Sequence, residues 1–325
     1  MSDLLWLCAG LALLAAGSEL LVRAATRLAA SLGVSPMMLG LTVVAIGTSM
    51  PELAVGLTAA NQGSGNLAVG NIAGTNVFNI LVILGISALL KPLALHLRVL
   101  KLDLPVMVVA AVMMGLLAWD GSFSRLDGAL LFGFAIVYTV VLVRVAQGES
   151  RRVRAEFREM FGGDGEHGTA ALRTRTLQGA LLVAGIGLTL LGAQWLVAGA
   201  TGIARAFGIP ESVIGLTIVA VGTSAPELAT TILSTLKGDR DVAVGNLLGS
   251  SIYNIFVILG LTCLAAKQSL AVERQLLLVD IPLMAGVALL CVPVFFTGQR
   301  VGRAEGALFI GIYAAYMAWL VFLRG

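Results

Sequence analysis

The chain has 325 residues, of which 58% are hydrophobic and only 12% charged, and its mean hydropathy is +0.97. A soluble domain carries about 25% charged and ~45–50% apolar residues, so this composition excludes a water-soluble fold and predicts an all-α polytopic membrane protein in a lipid bilayer. The net charge of +3 says little by itself, and no nucleic-acid partner is expected.

The segment 1–21 has no Lys or Arg ahead of its apolar run and no small-residue cleavage pattern, so it reads as a first transmembrane helix rather than a signal peptide. Scanning onward for apolar runs of about 20 residues predicts ten spans. They lie near 3–22, 37–60, 67–90, 103–119, 127–147, 178–200, 212–236, 242–263, 278–296 and 303–323. In the first, Glu19 stands four residues before Arg23, the spacing of an interfacial ion pair. The second contains AIGTSMPELAVGL (Ala45–Leu57), with Pro51 beside Glu52. A charge at the bilayer centre costs at least ~2.5–3.5 kcal/mol, and a proline inside a helix costs ~3 kcal/mol. Both faults recur in the seventh span at Pro226 and Glu227.

Asp103 and Asp280 precede Pro105 and Pro282, which reads as N-cap chemistry. Cys8, Cys263 and Cys291 fall in apolar stretches and are expected to be inert core thiols. His96 and His167 lie in polar connections, leaving no histidine for a transition-metal site. One long polar insert, Gln147–Leu177, suits a short helix plus a solvated linker. With both termini outside, 16 of the 21 Lys and Arg residues fall on the cytoplasmic side, which is the orientation the positive-inside rule favours.

Sliding the chain on itself by 175 residues aligns its halves without a gap. GLTVVAIGTSMPELA (Gly40–Ala54) meets GLTIVAVGTSAPELA (Gly215–Ala229), and AVGNIAGTNVFNILVILG (Ala68–Gly85) meets AVGNLLGSSIYNIFVILG (Ala243–Gly260). Between Gly33–Ser87 and Gly208–Thr262 there are 25 identities in 55 positions. The expected organisation is therefore a first five-helix repeat at 1–147, a cytoplasmic linker at 148–177 and a second five-helix repeat of inverted topology at 178–325. Inverted repeats with Gly/Pro-interrupted spans point to a secondary transporter whose site lies at the midplane.

The residues say what such a site would hold. Proline frees carbonyls one turn back, around Gly47 and Thr48, and a buried cation can take them. Glu52 and Glu227 supply two negative charges, matching one divalent ion. Thr48, Ser49, Thr223 and Ser224 add hydroxyls and carbonyls; Asn71, Asn79, Asn246 and Asn254 add amide oxygens. An all-oxygen set favours Ca²⁺, Na⁺, Mg²⁺ or Mn²⁺ over softer metals. Asn71, Asn76 and Asn246 also suit interhelical hydrogen bonding, while Asn79 and Asn254 fit a role at the ion. Gly70, Gly74, Gly245 and Gly249 form small-xxx-small pairs that predict close helix packing.

These two blocks resemble the alpha repeats of the calcium/cation antiporter superfamily, and within it the prokaryotic sodium/calcium exchanger-like branch. The resemblance rests on GTSMPEL (Gly47–Leu53) with GNIAGTNVFNI (Gly70–Ile80), and GTSAPEL (Gly222–Leu228) with GNLLGSSIYNI (Gly245–Ile255). It implies a Ca²⁺/Na⁺ antiporter of the plasma (inner) membrane with no cofactor, and the ligand set is complete within one chain, which is compatible with a monomer. It assigns Ca²⁺ to Glu52 and Glu227 with the carbonyls of Thr48 and Thr223. Na⁺ falls to Ser49 with the Ala45 carbonyl and to Ser224 with the Ala220 carbonyl. Thr75 and Ser250 would add hydroxyls, and Asn79 and Asn254 would line the centre. It further implies alternating access, with the first and sixth spans sliding across the repeat core. Some relatives carry Asp at the position of Asn254, so this neutral residue argues against a K⁺ requirement. Ser251 and Thr75 replace the commoner Asn and Ser of that motif. Proton-coupled Ca²⁺ exchange on the same fold, or a cation channel lined by glutamates, stays open from the residues alone. No Ser/His/Asp set, His-rich metal motif or phosphate-binding loop supports an enzyme.

Overall fold

The computed structural model describes residues 2–32, 34–161, 169–208 and 220–324. The chain is built of helices: α1 (Ser2–Leu32), α2 (Pro36–Leu39), α3 (Ala45–Thr48), α4 (Met50–Asn61), α5 (Gly65–Phe78), α6 (Gly85–Leu90), α7 (Leu104–Leu117), α8 (Arg125–Phe161) and α9 (Thr169–Ala206). After these come α10 (Ala220–Thr223), α11 (Ala225–Lys237), α12 (Arg240–Tyr253), α13 (Gly260–Ala265), α14 (Ile281–Phe296) and α15 (Arg303–Arg324). Among the described residues, seven helices are long and apolar enough to cross a membrane, and Pro36–Thr48 with Met50–Asn61 makes a broken eighth. These eight match the first to sixth, eighth and ninth predicted spans. The predicted seventh span begins outside the described residues and continues as α10 and α11; α15 occupies the tenth.

Several helices are joined through π-turns: Gly40–Val44, Asn79–Leu84, Val99–Asp103, Asn254–Leu259 and Leu276–Asp280. Two of these overturn the N-cap reading of Asp103 and Asp280. Each aspartate ends a π-turn in helical backbone and makes no side-chain cap bond. The turn before it already supplies carbonyls to the following helix, so no orphan N–H awaits a cap. Asp280 instead accepts a hydrogen bond from the Tyr316 hydroxyl at 2.9 Å.

The helices gather into two compact units that each draw on both repeats: Met1–Thr48 with Tyr138–Asn246, and Ser49–Val137 with Leu247–Gly325. The first unit is organised around α1 and α9. A Cβ at Gly17 would lie 2.5 Å from the Thr189 backbone N, and one at Gly185 would lie 2.6 Å from the Leu21 backbone N. Gly10 meets Leu196, Gly192 meets Leu14 and Gly199 meets Leu7 just as closely. Partner numbers fall along α9 as they rise along α1, so the pair is antiparallel. Its glycines recur every seven residues, at 10 and 17 and at 185, 192 and 199, which keeps one backbone face toward the partner. Gly185 and Gly192 stand 175 residues after Gly10 and Gly17, so the repeat reaches into spans where side-chain identity has faded. Trp6 and Trp195 close one end edge to face, 4.9 Å between centroids. At the other, Arg175 donates to the Ser31 carbonyl at 2.9 and 3.2 Å, satisfying a last-turn acceptor of α1. Cys8 departs from expectation: it is exposed, whereas Cys263 and Cys291 are buried. The buried face of α1 carries Gly10, Leu14, Gly17 and Leu21, and Cys8 lies off it.

In the second unit α5 and α7 pack on α14, α6 on α15 and α13 on α4. Backbones meet at Gly85 and Gly306, and again at Gly128 and Gly260, where a Cβ on Gly306 or Gly128 would fall 2.7 or 2.8 Å from the facing carbonyl. Two antiparallel ribbons, Leu93–Ala94 with Arg300–Val301 and Ser122–Phe123 with Leu270–Ala271, tie the connections together. Strands of two residues carry no period a sequence could reveal. The small-residue reading also needs correction. A Cβ at Gly74 would meet nothing within 4 Å, and one at Gly70 only the Leu276 side chain. At Gly245 it would lie 2.7 Å from the Met37 carbonyl, so there the close approach holds.

Candidate cation site

The two broken spans have the same local geometry. Ser49 lies between α3 and α4 with φ −83° and ψ 12°; Ser224 lies between α10 and α11 with φ −86° and ψ 6°. Pro51 and Pro226 follow two residues on, and having no N–H they leave the carbonyls of Gly47 and Gly222 without the usual helical donor. The helix restarts when Leu53 N donates to the Ser49 carbonyl at 3.3 Å and Leu228 N to the Ser224 carbonyl at 3.0 Å. Glu52 and Glu227 each fall in the first turn of the restarted helix, where the helix dipole favours a carboxylate. Both are fully buried.

The first unit holds six of the predicted site residues. Ala45 and Thr48 come from the first repeat, and Ala220, Thr223, Ser224 and Glu227 from the second. Helix α3 packs against α11. The Thr48 hydroxyl is 3.3 Å from the Ala45 carbonyl and 3.3 Å from Asn246 Oδ1, and Asn246 Nδ2 donates to Thr231 Oγ1 at 3.1 Å. Thr48, Ser224, Glu227, Thr231 and Asn246 are buried, and Thr223 is half-buried. The hydroxyls of Ser224, Thr230 and Ser234 are buried without a hydrogen-bond partner among the described residues.

The second unit holds the other six. Ser49, Glu52, Thr75 and Asn79 belong to the first repeat, and Ser250 and Asn254 to the second. Helix α4 packs against α5 and against the π-turn that begins at Asn254, which brings the helix of Glu52 to the segments bearing these residues. All six are buried. Both Asn79 and Asn254 open a six-residue π-turn, a feature that recurs at functional sites. Among the described residues both amide atoms of Asn79, Oδ1 of Asn254 and Oγ of Ser250 lack a hydrogen-bond partner. An unpartnered buried polar group costs about 1–3 kcal/mol, so these oxygens are placed at a cost that a ligand would offset. No three His, Cys, Asp or Glu side chains cluster among the described residues; a cation held here would be coordinated largely by neutral oxygen, which suits hard ions.

Asn76 hydrogen-bonds between helices as expected, with Ser251 and Asn254. Two connections escaped the sequence reading. Thr231 joins the network through Asn246, but its repeat counterpart is Gly56, so the repeat does not mark it. The signal was its position four residues after Glu227. Lys237 is the second: Glu19 pairs with Arg23 as expected, and with Lys237 of α11 as well. These side chains are partly exposed, so the pair should contribute only ~0.2–1 kcal/mol. A double-mutant cycle of Glu19→Gln and Lys237→Gln, followed by thermal unfolding in detergent, should return a coupling in that range that shrinks in high salt.

The chain matches the family described as sodium/calcium exchanger protein over residues 2–144 and 177–322. It is 37% identical to the inner membrane protein YrbG of Escherichia coli over 330 aligned residues, covering 98% of this chain and 96% of that one. It is 31% identical to the sodium/calcium exchanger MaX1 of Methanosarcina acetivorans, with 99% of each chain covered. The fold superposes on a solved structure of the sodium-calcium exchanger NCX_Mj, soaked with Na⁺ and no Ca²⁺, with a TM-score of 0.83 at 28% identity; 98% of this chain and 99% of that one are covered. With a family match over both halves and relatives aligned end to end, the chain belongs to the sodium/calcium exchanger protein family.

Proposed function

We propose that this cation antiporter exchanges Ca²⁺ for Na⁺ by alternating access, with Glu52 and Glu227 as its acidic ligands. The observation that carries the reading is the matched pair of helix breaks, each presenting one fully buried glutamate in a first turn beside oxygen-bearing side chains. Two carboxylates balance one Ca²⁺ or a load of Na⁺, not both, and that electrostatic exclusion makes flux an exchange. Thr48, Thr223, Ser49, Ser224, the carbonyls of Ala45 and Ala220, and Thr75, Ser250, Asn79 and Asn254 complete the proposed ligand set. The neutral Asn254 fits exchange that needs no K⁺. The glycine-lined pairing of α1 with α9 supports their moving as one body. Both termini lie outside and the 148–177 linker in the cytoplasm, as the Lys and Arg distribution favours.

Proteoliposomes test the driving ion. Na⁺-loaded vesicles diluted into Na⁺-free buffer should accumulate radiolabelled Ca²⁺ with saturable kinetics, and equal Na⁺ on both sides should abolish accumulation. Accumulation driven by a pH gradient without Na⁺ would overturn the Na⁺ assignment. Non-saturable flux indifferent to either gradient would indicate a channel.

A further inference from the structure

The amide of Asn76 lies in the second unit, buried at 2% exposure. Its Nδ2 donates to the backbone carbonyl of Ser251 at 3.1 Å and lies 3.7 Å from Met284 Sδ, while its Oδ1 accepts from Asn254 Nδ2 at 3.2 Å. Oxygen and nitrogen of an amide are told apart by their partners, and here the chain of partners leaves one solution. A backbone carbonyl has no proton, so the Asn76 atom facing Ser251 must be the NH₂. The other end of Asn76 is then oxygen, and Asn254 must offer its own NH₂ to it. What remains of Asn254 is Oδ1, fully buried and without a partner among the described residues.

The repeat makes this relay one-directional. Ser251 stands 175 residues after Asn76, and Asn254 after Asn79. Ser251 has no amide, and its hydroxyl is taken up by the Leu247 carbonyl one turn back at 3.0 Å. Asn79 has no such partner, and both its amide atoms lack hydrogen bonds among the described residues. One asparagine of the pair is therefore oriented by its surroundings and the other is not.

We infer that Asn76 is a positioning residue that fixes Asn254 with its carbonyl oxygen, rather than its NH₂, turned to the transported cation. A flipped Asn254 would present two partial positive charges to an ion that needs oxygen, so Asn76 decides whether position 254 attracts or repels it. The inference rests on the reading of Asn254 as a ligand. Hydrogen-bond partners that only orient a metal ligand typically change metal affinity by about 10–100-fold when removed.

The test is a double-mutant cycle on Ca²⁺ KM and kcat of Na⁺-driven uptake, with Asn76→Ala, the near-isosteric Asn76→Leu, Asn254→Ala and the two doubles. Either Asn76 variant should raise the Ca²⁺ KM by about tenfold or more with kcat nearly unchanged, and should add nothing in the Asn254→Ala background. A raised KM in Asn254→Ala with no change in either Asn76 variant would overturn the positioning role. An Asn254→Ala protein with parental KM would overturn the ligand reading beneath it. Failure of both Asn76 variants to yield monodisperse protein would also overturn the inference, since Asn76 would then be a structural residue.

Discussion

Glu52→Gln should abolish Ca²⁺ uptake, and Glu227→Gln should do the same. The change is isosteric, so packing is kept and only charge is lost. A site that meets a divalent ion with two carboxylates is left with half the balancing charge, and the expected fall in apparent Ca²⁺ affinity is at least two decades, about 2.7 kcal/mol. Stability in cation-free detergent buffer separates a ligand from a structural acid. Removing one member of a structural buried ion pair destabilises by ~3–5 kcal/mol. Where the charge serves the cation more than any protein partner, the neutral glutamine is the cheaper group to bury, and the variant should unfold at the parental temperature or above. Added Ca²⁺ should then raise the parent's unfolding temperature, by the equivalent of ~2.7 kcal/mol at a hundredfold excess over Kd, and leave the variants unmoved. Parental uptake in either variant would remove that glutamate from the site; a large loss of stability without cation would make it structural.

The repeat was legible because it is written in the residues that cannot change cheaply. Gly47, Pro51 and Glu52 recur as Gly222, Pro226 and Glu227, and the structure gives Ser49 and Ser224 nearly identical backbone angles. The spans were legible for the usual reason, that apolar length is what a bilayer demands. What could not be read was anything set by contact between distant segments. Thr231 bonds Asn246, yet at the matching place Gly56 yields its space to Thr262, whose Oγ1 would lie 2.7 Å from a Cβ there. The same slot in the repeat is thus a hydroxyl in one half and a void for a hydroxyl in the other, and identity searches see neither. Asp103 and Asp280 misled for a different reason. An Asp before a Pro is the composition of an N-cap, but a preceding π-turn already occupies the role, and π-turns have no reliable composition.

The glycine seam between α1 and α9 carries the other large effect. Gly192→Ala should destabilise the protein and slow exchange, while Gly187→Ala, five residues earlier in the same helix, should not. A Cβ at Gly192 would press on the Leu14 backbone, whereas one at Gly187 meets nothing within 4 Å. Backbone cannot rotate aside as a side chain does, so α1 must move away along its whole length, and overpacking of this kind costs ~1–3 kcal/mol. At Gly187 the same substitution brings only the gain in helix propensity, about 1 kcal/mol, and the unfolding temperature should hold or rise. Gly17→Ala, with its Cβ 2.5 Å from the Thr189 nitrogen, should behave like Gly192→Ala. Neither α1 nor α9 contributes a residue to the proposed ligand set, so the seam variants should lower kcat with Ca²⁺ KM close to the parent's, the reverse of the Asn76 pattern. Equal tolerance of alanine at Gly192 and Gly187 would mean the two helices do not meet through their backbones, and a shift in KM alone would tie the seam to ion binding instead of to the movement that exposes the site.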